Sequence, residues 1–152
     1  MNGIRTILII DDEEALATAM QKLLHRHGFA VHTAANGNVG LNLLKTERVD
    51  LVITDIFMEE MEGLETILAI KREHPTILLV AMSGGSKVVG LDCLPLAKKL
   101  GADRLLRKPI AIQTLLDTIQ ELNSAAANLG RRLPEAPAEP GNDSLLDASD
   151  LT

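Results

Sequence analysis

A chain of 152 residues, 46% hydrophobic and 24% charged, is long enough to bury one core and reads as a single globular domain. Its formal net charge of −6 and its two aromatics, Phe29 and Phe57, supply neither the basic footprint nor the stacking surface of a nucleic-acid binder. No apolar run approaches the roughly 18 residues of a membrane span, and Cys93, the single cysteine, cannot form an internal disulfide, so a cytoplasmic protein that is not exported is expected.

Apolar runs alternate with amphipathic stretches along the chain. The candidate strands are Ile4–Ile10, Ala30–Ala34, Asp50–Thr54, Thr76–Met82 and Asp103–Arg107, a βα periodicity that predicts five units. Between them the helical spacing is clearest at Ile112, Leu115, Leu116 and Ile119, and next at Leu16, Met20, Leu23 and Leu24, each set marking one apolar helix face. The first, third and fourth strands carry unbroken aliphatic runs, ILII, LVI and ILLVAM, as strands covered on both faces do. The second, FAVHTA, alternates, and the fifth, DRLLRK, has a two-leucine centre flanked by charge, both suited to a sheet edge. The reading is therefore an α/β doubly wound five-stranded parallel sheet of order 2-1-3-4-5. A crevice then opens between strands one and three at their carboxyl ends, where ligands of such sheets bind.

The domain is expected over residues 1–123. From Ser124 onward the composition changes, with Pro134, Pro137 and Pro140 spaced too closely for a helix and five acids against Arg131 and Arg132. Residues 124–152 read as a disordered C-terminal tail, with DSLLDASDL as a candidate short docking helix. His25 and His27 lie two apart on the first helix, so they do not face one another and form no metal pair; carbonyl capping or solvation suits them.

The chemistry gathers at the strand ends. Asp11 and Asp12 end the first strand and Asp55 ends the third, and strands about 4.8 Å apart bring the three carboxylates into one small volume. Two charges about 4 Å apart repel by roughly 4 kcal/mol at an effective dielectric near 20, and a divalent cation with oxygen ligands, Mg²⁺, is the natural compensation. Singly, each aspartate is also a good helix N-cap or turn residue, and Glu13 and Glu14 suit a first helical turn. Ser83, at the end of the fourth strand, lies one strand spacing from Asp55, with Gly84 and Gly85 allowing close backbone approach. Lys108, at the end of the fifth, lies about 10 Å away, a gap that a long side chain leaning over Ser83 nearly closes. A carboxylate nucleophile, a cation site, a hydroxyl and a lysine are together the requirements of phosphoryl transfer.

These motifs, IIDDEE, VITDIFMEEMEG, AMSGG and GADRLLRKP, resemble in order and placement a response regulator receiver domain of the single-domain chemotaxis type, over about residues 4–122. The resemblance implies a flavodoxin-like (βα)5 fold and a phosphorelay role: Asp55 as phosphoacceptor from a histidine kinase or histidine phosphotransfer protein, with an unknown downstream protein target. It further implies Asp12 as a direct Mg²⁺ ligand, Asp11 holding a metal-bound water, the Phe57 carbonyl as a backbone ligand, Ser83 and Lys108 on the phosphoryl oxygens, and a cis Lys108–Pro109 bond. Such a protein is not a turnover enzyme but catalyses its own aspartyl phosphorylation and dephosphorylation.

Several positions depart from the family pattern. Leu105 stands where an aromatic is usual, Ile110 where Phe is frequent and Glu59 where Pro is usual, and the stretch between Ser83 and Asp103 is longer than typical. Cys93 is expected to pack rather than react. Phe57, two residues past Asp55, could shade an acyl phosphate from water, which predicts slow self-dephosphorylation. Two other readings remain open: a receiver-like binding module independent of phosphorylation, and an aspartyl phosphatase of the haloacid dehalogenase class. The second of these wants an Asp two residues past the nucleophile, where Phe57 stands.

Overall fold

In the computed structural model, residues 3–56, 62–84 and 94–132 are described. The elements run β1 (Thr6–Ile10), α1 (Glu14–Arg26), β2 (Ala30–Ala34), α2 (Gly37–Thr46), β3 (Leu51–Asp55), α3 (Glu62–Glu73), β4 (Leu78–Ser83), α4 (Leu94–Leu100), β5 (Arg104–Arg107) and α5 (Ile112–Arg132). The strands form one parallel sheet in the order β2-β1-β3-β4-β5, the order that the hydropathy of the runs implies.

Alternation along each central strand sorts its side chains into two cores. Ile7, Ile9, Leu51, Ile53, Val80 and Met82 pack with Met20 and Leu24 of α1 and Leu115, Ile119 and Leu122 of α5. Leu8, Ile10, Val52, Leu79 and Ala81 face the other way, onto Leu44 of α2, Ile67 and Ile70 of α3 and Ala97 of α4. Every residue of β3 is buried, whereas β2 and β5 are only partly covered, which is why their sequences tolerate His32, Arg104 and Arg107. Each fully buried aliphatic side chain contributes about 1.5–3 kcal/mol, so the central strands hold the sheet and fix the positions of their carboxyl ends.

Some boundaries differ from the sequence reading. The ends of the apolar runs at Ile4, Asp50 and Thr76 fall outside the strands: the Ile4 amide donates to Asn123 Oδ1 of α5, and the Asp50 carboxylate accepts the amides of Arg5 and Thr6. Helix α5 runs across the compositional boundary at Ser124 to Arg132. Its Ala125–Ala127 stretch has high helix propensity. The histidines at the end of α1 each meet a carbonyl, with Nδ1 of His27, the C-cap, 2.9 Å from the Leu23 oxygen and His25 Nδ1 3.3 Å from that of Phe29.

Candidate functional site

The ladder positions the site before any side chain is considered. In register, Ile10 pairs with Thr54 and Asp55 with Met82, so Asp11 and Asp55 emerge level with one another on adjacent strands. Main-chain bonds continue past the strands: the Asp11 amide donates to the Ala34 carbonyl at 3.0 Å, the Ile56 amide to that of Met82 at 2.8 Å, and the Lys108 amide to that of Ser83 at 2.8 Å. Backbone order therefore extends into the residues that carry the chemistry. Ser83 sits one residue beyond the row of Asp55 and is buried. The Lys108–Pro109 peptide bond is cis.

Lys108 spans the gap to the centre of the sheet. Its Nζ donates to Asp11 Oδ2 and to Asp55 Oδ2, each at 3.0 Å. The side chain of Asp11 is fully buried, that of Asp55 is 7% exposed and that of Lys108 15%. Burial draws the lysine pKa down, but the hydrogen bonds and charges of Asp11 and Asp55 outweigh it and hold the ammonium above its ordinary value,. The other oxygen of Asp11, Oδ1, accepts the Glu13 amide at 2.9 Å. The N-cap of α1 is Glu13, which makes no side-chain capping bond, so neither Asp11 nor Asp12 holds the N-cap position.

Asp11, Asp12 and Asp55 each offer an oxygen, and the three oxygens lie within 4.8 Å of one another. Octahedral Mg²⁺ holds oxygens at about 2.1 Å, placing opposite ligands about 4.2 Å apart. The cluster comes to that size with a small side-chain adjustment, and its all-oxygen chemistry suits a hard cation. Asp12 is exposed, which leaves room for water in the shell. The fourth expected ligand, the Phe57 carbonyl, lies outside the described residues, as do Glu59, Gly85 and Cys93.

Two features escape the sequence reading. The Glu13 carboxylate, expected only to favour a first helical turn, lies 3.6 Å from Lys108 Nζ; the run of four acids carries no signal that separates this one. Gly63, at the start of α3, is packed so closely that a Cβ there would run into the backbone of Asp55 and Ile56. The only sequence signal is a glycine eight residues past Asp55. At Gly84, by contrast, a Cβ would meet, among the described residues, nothing nearer than Lys108 Cδ at 3.9 Å, an ordinary contact. Leu105, paired with Ala81, is half-buried against the α2–α4 core.

Comparison with known proteins agrees with this fold. The family model that matches is that of the response regulator receiver domain, over residues 7–120. The chain is 31% identical over 150 residues to the response regulator MprA of Mycolicibacterium vanbaalenii, covering 96% of this chain and 58% of that protein. It spans between 13% and 45% of the length of other curated relatives. A CheY-like receiver domain protein from Methanospirillum hungatei superposes with a TM-score of 0.76 at 26% identity, covering 84% of this chain and all of that one. The regulator TrrA of Thermotoga maritima, solved in complex with Mg²⁺–BeF, gives 0.67 at 25% identity, covering 78% and 99%.

Proposed function

Because this chain belongs to the response regulator receiver domain family, we propose that it works in a two-component or phosphorelay system by accepting a phosphoryl group on Asp55. The observation that carries the reading is the Lys108 ammonium, 3.0 Å from both Asp11 and Asp55, beside three carboxylate oxygens within 4.8 Å of one another.

The donor is a phosphohistidine on a histidine kinase or a histidine phosphotransfer protein. An Asp55 carboxylate oxygen attacks phosphorus in line; the new P–O bond forms as the P–N bond breaks, and the electron pair of that bond returns to the imidazole nitrogen. Lys108, already poised on Asp55, pairs with the phosphoryl oxygens as negative charge arrives, and the Ser83 hydroxyl contributes a further hydrogen bond at the strand end. Asp11, Asp12 and Asp55 would hold Mg²⁺, Asp12 and Asp55 as direct ligands with the Phe57 carbonyl and Asp11 through water, as the resemblance to receiver domains implies. The ion supplies charge neutralisation for the carboxylates and the transferring group. The chain thus catalyses its own phosphorylation and dephosphorylation rather than turning over a separate substrate, and signals to a downstream protein in the cytoplasm. We place the receiver domain at residues 1–123 and a tail at 124–152, with α5 crossing that boundary.

Incubation with Mg²⁺ and acetyl phosphate tests the reading. One added phosphoryl mass on wild type and none on Asp55→Asn is the expected result. No addition to either would favour a binding module independent of phosphorylation, and addition surviving in Asp55→Asn would move the acceptor elsewhere.

A further inference from the structure

Lys108 carries one positive charge, and three carboxylates draw on it: Asp11 and Asp55 at 3.0 Å and Glu13 Oε1 at 3.6 Å. Asp11 and Asp55 also belong to the cluster that suits a metal, whereas Glu13 does not. With a divalent cation in place, the carboxylates of Asp11, Asp12, Glu13 and Asp55 face three positive charges, so one negative charge is left over. Exposure decides where it is felt. The Glu13 side chain is 68% exposed, and Glu13 lines with Lys108, Leu16, Met20 and Ile110 a groove between α1 and the start of α5.

Resting on the reading of Asp55 as phosphoacceptor, we propose that Glu13 is a specificity-determining residue, whose carboxylate beside Lys108 disfavours small dianionic phosphoryl donors. A donor protein that lays a cationic side chain against Glu13 escapes this penalty, whereas a free acyl phosphate does not. Glu13 acts through its field on the approaching group and does not itself touch phosphorus. The effect belongs to the approach of the donor and is screened by salt, which separates it from a structural role in holding Lys108.

Phosphoryl uptake is measured by intact mass for wild type, Glu13→Gln and Glu13→Asp, each with Mg²⁺. At about 0.01 M ionic strength, where the Debye length is about 30 Å, Glu13→Gln should take phosphate from acetyl phosphate about three- to fivefold faster than wild type. Glu13→Asp should stay near the wild-type rate. Phosphoramidate, whose protonated nitrogen lowers its net charge, should gain only about twofold in Glu13→Gln. At about 1 M salt the acetyl phosphate advantage should shrink below about 1.5-fold. Uptake by Glu13→Gln that is unchanged, slower, insensitive to salt or raised equally for both donors overturns the proposal. Absence of uptake by wild type is seen before any variant is compared and overturns the phosphoacceptor reading itself, and this inference with it.

Discussion

Replacing Lys108 by alanine removes a cation that touches two buried carboxylates at once, at 3.0 Å from each. Breaking a buried ion pair from one side costs about 3–5 kcal/mol, because the surviving charge stays desolvated. The Lys108 side chain is 15% exposed, so water relieves part of the penalty, and the expected loss without metal is about 2–4 kcal/mol. On the reading that Mg²⁺ binds the same carboxylates, it should stabilise Lys108→Ala more than wild type and narrow the gap. Asp55→Asn in the Lys108→Ala background should recover part of the loss by removing one of the crowded charges. The chain has no Trp or Tyr, so unfolding is best followed by far-ultraviolet circular dichroism in urea. With a slope of about 2 kcal/mol/M, the midpoint should fall by about 1–2 M in EDTA and by less with Mg²⁺. A variant within about 0.5 kcal/mol of wild type in EDTA, the range of an ordinary surface substitution, would refute the reasoning, as would a gap that Mg²⁺ leaves untouched.

Three further outcomes follow from the same geometry. Because the folded-state pKa of Lys108 is raised above the ordinary 10.5, its contribution is fully present below that value and is lost as pH rises through the higher folded one. The stability gap between wild type and Lys108→Met should thus be flat near neutrality and close only in alkali; closure near neutral pH would assign the effect to another group. Gly63→Ala should cost about 1–3 kcal/mol by overpacking and slow phosphoryl uptake, since its Cβ meets the backbone that carries Asp55; an unchanged urea midpoint would remove that role. On the reading that Phe57 shades the acyl phosphate, Phe57→Asn should shorten the phosphoryl lifetime, and an equal decay rate in the two proteins would discard the idea.

The sheet was legible because burial on two faces leaves a direct mark: LVI in β3 and ILLVAM in β4 can sit only in the middle, and the charge-flanked leucines of β5 only at an edge. Strand ends were less legible. Ile4 is as apolar as the strand that follows, yet its amide bonds to Asn123 of α5, a partner 119 residues away that no local pattern announces. The continuation of α5 past Ser124 was hidden for a different reason. The shift to small residues at Ser124 reads as a change of regime, but alanine favours a helix, and α5 runs on to Arg132. At the site, Asp11, Asp55 and Lys108 could be placed because strand order and register together determine which strand ends are neighbours. The reach of Glu13 to Lys108 and the close packing at Gly63 depend on how α1 and α3 leave the sheet, information held in tertiary contacts rather than in spacing.

The identity of the phosphorylated side chain is the most direct test of the account. Borohydride reduction of the protein after treatment with Mg²⁺ and acetyl phosphate converts an acyl phosphate of aspartate into homoserine, and peptide sequencing locates it. The account predicts homoserine at residue 55 alone; homoserine at Asp11, Asp12 or any other aspartate, or phosphorylated protein that yields none, would contradict it.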